Sequence, residues 1–221
     1  MVIVTYADIK SNEEIKTYIK RADMALIALG YTEHSFGHVT KTAEMAGYIL
    51  SELKFDSRTV ELAQIAGYMH DIGNVINRVD HAQSGAVMAF RILDKLGMNA
   101  DEVSTVISAI GNHDESTAFP VNAVAAALIL ADKSDVRRTR VRNTDFATFD
   151  IHDRVNYAVE KSSLEMDTTN GTITLIISID TEICSVMDYF EIFLNRMLLC
   201  RRAAEFFNFR FKLNINGLAL L

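Results

Sequence analysis

Of the six histidines in this chain, five stand ahead of Asp114: His34, His38, His70, His81 and His113. His70 is followed at once by Asp71, and Asp132 sits farther on in a stretch with almost no other polar residue. Imidazole and carboxylate together form the donor set of transition-metal and mixed metal sites. Phase along each segment tells whether these residues are scattered or aimed. His70 falls in phase with Leu62 and Ala66, His81 with Gly85, Met88 and Ile92, and His38 with Met45 and Ile49. Asp132 follows Ala125, Leu128 and Ile129 at helical spacing. Separate segments thus each turn a metal-competent side chain to an inward face. Burying such groups unpaired costs on the order of several kcal/mol each, and a shared cation removes that cost. A lone inward histidine reads as a core residue bonded to a backbone carbonyl; several together, with a His-Asp dipeptide, read as a metal site.

Helices must carry these residues, and the hydrophobic period predicts a run of them ahead of Val141. The first spans Asp8–Leu29 and stops at Gly30, and the second spans Ser35–Leu53 with Val39, Ala43, Ala46, Leu50 and Leu53 on its apolar face. The third spans Ser57–Asp71, with Ser57 as N-cap and Gly73 as stop. Asp80–Leu96, ending at Gly97, then Asp101–His113 and Val121–Arg140, entered after Pro120, complete the run. Short polar links join them, as in a helical bundle. Beyond Val141 the pattern changes. A turn ending in Asn170-Gly171 lies between strand-like Ser163–Met166 and Thr172–Ile179. An amphipathic helix over Glu182–Phe207 follows, with Ile183, Val186, Phe190, Leu194, Met197 and Leu198 on one stripe, then a strand within Phe209–Leu220 where Phe211, Leu213 and Ile215 alternate. The expected fold is mainly α: a helical domain over 1–150 followed by a small C-terminal α+β unit of β-β-α-β order over 151–221.

The segments GHVTKTAEMA, GYMHDIGN, NHDE and ILADKSD resemble the motifs of the HD-domain superfamily of metal-dependent phosphohydrolases. That pattern is an early His, a His-Asp dipeptide closing a helix and a late Asp, matched here by His38, His70-Asp71 and Asp132. The resemblance covers Gly30 to Arg142. The segment HAQSGA, from His81, with His113 beyond it, is similar to the branch that carries further histidines for a second metal. Bacterial diadenosine tetraphosphate hydrolases and HD-GYP cyclic-dinucleotide phosphodiesterases belong to that branch. The resemblance implies one metal on His38, His70, Asp71 and Asp132, and a second on Asp71 as bridge with His81 and His113. A carboxylate bridges two cations well because it has two oxygens, whereas an imidazole offers each metal one nitrogen.

This chain departs from the pattern at Asn74, where many relatives carry a lysine that helps hold phosphate, and it has no GYP motif. Lys133 and Arg137 are the candidates for contacting phosphate in catalysis, beside the Asp71 bridge, and Arg78 is a further source of positive charge. Arg140 and Arg142 read as a solvated helix face. His34 reads as a surface residue or a neighbour of the ligands, and Asp114 and Glu115 as residues that orient His113 or merely close a helix. His152-Asp153 has no matched partners and reads as structural.

Composition narrows the class. With 221 residues, 49% of them hydrophobic, the chain can bury a sizeable core. Its net charge of −7 excludes non-specific duplex binding through a basic surface, and it lacks the polybasic runs that hold a protein on an anionic membrane. The N-terminal MVIVTYADIK does not read as a signal peptide, and the longest apolar run, Val124–Ala131, is far short of the roughly 20 residues of a membrane span. Cys184 and Cys200 lie roughly 24 Å apart along one helix, so free thiols in a reducing cytoplasm are expected. The expected activity is hydrolysis of a phosphate ester or anhydride, in a nucleotide or similar molecule, by water activated on one or two divalent ions (Mn, Fe, Mg, Ni or Zn). The competing class is a non-hydrolytic sensor that uses the same core to bind metal or nucleotide and signals through the C-terminal unit. At about 60 residues that unit buries little core alone, so a homodimer through it is expected.

Overall fold

The computed structural model describes residues 3–220; the ends of the N-terminal segment (Met1, Val2) and of the C-terminal unit (Leu221) lie outside the described residues. The chain divides into two compact units, 1–132 and 133–221.

The first unit is helical throughout: α1 (Tyr6–Ser11), α2 (Glu13–Ala28), α3 (Phe36–Glu52), α4 (Ser57–Met69), α5 (His81–Lys95), α6 (Ala100–Gly111) and α7, which runs on to Lys133 (Ala123–Lys133), with a single 3-10 turn at Ile72–Val75. α3 packs on α4, α5 on α6, and the 3-10 turn on α2 and α5. The expected first helix is split at Asn12, whose carboxamide oxygen accepts the Glu14 and Ile15 amides and so starts a new helix. α4 is capped by Asp56 rather than Ser57, through bonds from the Arg58 and Thr59 amides. α3 and α4 meet backbone to backbone at Gly67, where a Cβ would stand 2.7 Å from the Ala43 Cα. α7 is buried all round, with Val124 to Ala131 at most 2% exposed. A helix apolar on every side belongs in a core.

The helix expected over Val121–Arg140 ends at Lys133. The carbonyls that would extend it have other partners: Ser134 accepts the Ser162 hydroxyl at 3.1 Å and Asp135 accepts Arg140 Nη1 at 2.8 Å. Arg140, expected on a solvated helix face, is 4% exposed and lies in a 3-10 turn. A carbonyl held by a side chain competes with the helical ladder.

The second unit holds α8 (Ile151–Ala158), β1 (Val159–Asp167), β2 (Thr172–Ile179), α9 (Val186–Phe206), β3 (Arg210–Ile215) and β4 (Leu218–Ala219). The strands form one sheet in the order β1-β2-β3-β4, with β2 and β3 parallel and the other pairs antiparallel. The expected β-β-α-β order is present, extended by β4. Ile173, Leu175, Ile177 and Ile179 alternate inward from β2, and Phe211, Leu213 and Ile215 do so from β3. The Ser185/Asp188 capping box starts α9 at Val186, later than expected. The buried stripe is Tyr189, Phe193, Met197, Cys200 and Ala204, leaving Met187 74% and Leu194 47% exposed. Both cysteines are free and buried. No helix among the described residues is long and apolar enough to cross a membrane.

Candidate metal centre

The site grows from helix ends. His38 lies in the first turn of α3. That turn is closed by the Glu33 carboxylate, which accepts the Ser35 and His38 amides at 2.8 and 3.3 Å. His70 is the C-cap of α4, and Asp71 opens the 3-10 turn. His81 starts α5, His113 follows α6, and Asp132 is near the end of α7. The four histidines are at most 2% exposed, Asp71 5% and Asp132 9%.

Three of the imidazoles are held in the same way. Nδ1 of His70 donates to the Gly67 carbonyl at 2.8 Å, that of His81 to Arg78 at 3.0 Å, and that of His113 to Ile110 at 2.6 Å. Each carbonyl lies three residues back and can only accept, so the ring proton sits on Nδ1 and Nε2 keeps its lone pair. The carbonyl bond of an ordinary core histidine is present, and it frees the other nitrogen to serve as a ligand.

Those nitrogens converge on two carboxylates. Asp71 Oδ2 lies 3.3 Å from His70 Nε2 and 3.7 Å from His38 Nε2, while Asp132 Oδ1 lies 3.2 Å from His38 Nε2 and 3.8 Å from His70 Nε2. The other oxygen of Asp71, Oδ1, lies 3.6 Å from His81 Nε2 and 3.9 Å from His113 Nε2, and those two nitrogens are 3.2 Å apart. Two donors at about 2.1 Å from one tetrahedral cation stand about 3.4 Å from each other, which is the spacing seen here. His70 Nε2 is buried and makes no hydrogen bond, an arrangement a cation relieves. His38–His70–Asp71, His70–His113–Asp132 and Asp71–His81–His113 each form a set able to hold a metal ion.

Burial alone would raise the Asp71 pKa, but the imidazoles around it, His70 foremost, hold its carboxyl well below the usual carboxylate range. Burial works to lower His70, yet the charges of Asp71 and then Asp132 keep it above the ordinary imidazole value. His81 is lowered, by burial and then by the Arg78 guanidinium against the pull of Asp71, which favours the neutral, ligand-competent ring.

The structure therefore brings together all six residues singled out as ligands. Lys133 and Arg137, singled out for phosphate, belong to the other compact unit. Lys133 is buried, and Arg137 donates to Asp135 at 3.0 Å and to Thr139 at 2.6 Å. His34 has its ring 5.5 Å from that of His38, and Asp114 lies 3.9 Å from His81 Nε2. Sequence reasoning took Asn74 only as a missing lysine, but its amide donates to both Oδ1 and the carbonyl of Asp71, each at 2.9 Å. Its spacing, three residues past Asp71, was the available signal, because one 3-10 turn eclipses such a pair.

The sequence profile of the HD domain matches residues 35–191 of the chain. Among curated proteins, Ribonuclease Y of Opitutus terrae is 29% identical over 119 residues, which are 54% of this chain and 21% of that protein. The match thus spans about a fifth of that relative's own length. An uncharacterised protein of Methanocaldococcus jannaschii is 24% identical over 208 residues, covering 83% of this chain and 80% of that one. Among solved structures, an HD superfamily hydrolase from an uncultured Thermotogales bacterium aligns with a TM-score of 0.45 at 28% identity, over 56% of this chain and 67% of the other.

Proposed function

This chain belongs to the HD domain family of metal-dependent phosphohydrolases, and from that premise we propose that it hydrolyses a phosphate ester or anhydride of a nucleotide. His38, His70, Asp71 and Asp132 hold one divalent cation in this reading, and Asp71, His81 and His113 a second. The observation that carries it is the division of Asp71: one oxygen faces the His38/His70 pair and the other faces the His81/His113 pair.

A divalent cation bound there would supply Lewis acidity toward phosphoryl oxygens and would acidify a bound water. The chain's own residues do the rest. The three carbonyl-bound imidazoles keep their lone pairs fixed on the centre, so no ring need turn during a catalytic cycle. Asn74 fixes the Asp71 carboxylate plane and hence the direction of both its oxygens. Lys133 and Arg137 are assigned to the charge that develops on phosphate, as their sequence positions suggest.

The test is metal analysis of the purified protein joined to a hydrolysis screen with added Mn²⁺. The panel takes nucleoside mono-, di- and triphosphates, dinucleoside polyphosphates and a short oligoribonucleotide, the last because one relative is named as a ribonuclease. Turnover of a nucleotide that is lost in Asp71→Ala supports the reading. Full metal content with no turnover on any member overturns it in favour of a ligand sensor.

A further inference from the structure

We propose that Arg78, lying over the ring of Tyr31 and tied to Asn74, binds the phosphate group of the substrate in addition to Lys133 and Arg137; the assignment rests on the hydrolase reading above. Its surroundings differ from those of the ion-paired arginines. Arg58, Arg137, Arg140 and Arg201 each meet a carboxylate. Arg78 meets none among the described residues. Its guanidinium lies 5.5 Å from the centroid of Tyr31, and Nη1 reaches the amide oxygen of Asn74 at 3.3 Å and His81 Nε2 at 3.4 Å. In a chain with 29 acidic and 22 basic residues, a half-buried cation kept among neutral partners is an anion site in waiting.

Position gives that anion an identity. Asn74 joins the two halves: its amide donates to Asp71 Oδ1 while its oxygen accepts from Arg78. The guanidinium is thereby anchored to the carboxylate at the middle of the metal centre. Nη1 carries both polar contacts, so the Nε and Nη2 protons remain for a tetrahedral oxyanion, which a planar fork binds in two-point fashion. Tyr31, 43% exposed, lies against the guanidinium from one side. The neutral amide of Asn74 thus positions an arginine that arrives from four residues later.

The contact with His81 adds a second, opposite consequence. One lone pair on Nε2 serves a guanidinium or a cation, not both. Removing Arg78 therefore weakens phosphate binding while leaving metal binding at His81 and His113 equal or tighter. A purely structural arginine would weaken both.

The experiment uses the full chain loaded with Mn²⁺ and inorganic phosphate as the probe, by isothermal titration, with Mn²⁺ titrated separately. Arg78→Ala should lower phosphate affinity about tenfold or more, as expected for losing a charge-assisted pair. Arg78→Lys should recover part of the loss, and Tyr31→Leu should cost about two- to fivefold. Mn²⁺ affinity in Arg78→Ala should not fall. Unchanged phosphate affinity in Arg78→Ala, or joint loss of phosphate and Mn²⁺, overturns the assignment. If the wild type hydrolyses phosphate substrates while Arg78→Ala binds phosphate normally, the assignment falls and the hydrolase reading stands. If the wild type binds phosphate through Arg78 yet turns nothing over, the reading falls and the assignment stands. Wild type that binds no phosphate overturns the assignment, and the hydrolase reading is then decided by turnover alone.

Discussion

Gly73 is where the two halves of the centre are held at their working distance. A Cβ there would stand 2.0 Å from the His81 carbonyl oxygen and 2.4 Å from the Gly85 amide nitrogen, both backbone atoms. Gly85 is bare for the same reason, since its own Cβ would meet the His70 carbonyl at 3.2 Å. Ordinary contacts of carbon lie near 3.5 Å, so Gly73→Ala must part the 3-10 turn from α5 by roughly 1–1.5 Å, against a tolerance of about 0.5 Å for a working site. The turn carries Asp71 and α5 carries His81, whose ligand atoms are 3.6 Å apart. Overpacking of this kind costs about 1–3 kcal/mol, or roughly 2–12 °C of Tm for a chain of this size. Because α5 contributes nothing to the His38–His70–Asp132 side, the loss should be selective. One equivalent of Mn²⁺ should stay bound while affinity for a second falls about 10- to 100-fold. The assays are differential scanning calorimetry and Mn²⁺ titration followed by electron paramagnetic resonance. A Gly73→Ala protein with wild-type Tm and two undiminished Mn²⁺ equivalents would refute the claim that this close approach sets the centre.

Asp71→Ala should lose metal at both positions, and His81→Ala mainly at the second; elemental analysis showing full stoichiometry in Asp71→Ala contradicts the bridge. Lys133→Ala and Arg137→Ala should each lower kcat about tenfold, roughly 1.4 kcal/mol, with metal content unchanged, and normal kinetics in both remove them from the site. Metal occupancy should fall as pH drops: His70 holds its proton to a higher pH than an ordinary imidazole, so competition begins above about 6.5, and occupancy flat from pH 8 to 5 would contradict it. Burial pushes the Cys184 thiol up to about 11, leaving on the order of one thiolate in a thousand at pH 8; prompt labelling of the native protein there by a thiol reagent would be inconsistent with its burial. Met187 and Leu194 lie exposed on α9, and light scattering on the full chain at micromolar concentration should give a dimer mass that Leu194→Glu lowers to that of a monomer.

Helical phase made much of this legible. His38, His70 and His81 could be seen to face inward because each shares a stripe with aliphatic neighbours, and Asp132 because it interrupts a run that is otherwise apolar. What escaped were features made by side chains acting on backbone. Arg140 takes the carbonyl of Asp135 and so ends α7 early, a contact without periodic signature. Asn12 cuts one helix into two, although Asn before Glu13-Glu14 is a readable N-cap. Asn216-Gly217, both at positive φ, turns the chain into β4, and the dipeptide is a strong hairpin signal in the sequence itself. α9 turns Tyr189, Phe193 and Cys200 inward instead of the expected Phe190 and Leu194, because it is apolar on more than one face and periodicity alone does not choose between them.

The bonds that aim His70 and His113 also finish two helices. Gly67 and Ile110 offer carbonyls from the last turns of α4 and α6, which lack partners farther along the helix. Each ring is thus a helix stop on one side and a donor to the centre on the other. Fraying of those last turns and release of a cation become one event. Adding Mn²⁺ should slow hydrogen exchange at the closing turns of α4 and α6 far more than at the middle of either helix. A cation here would act as a clasp on chain segments that sequence places more than forty residues apart.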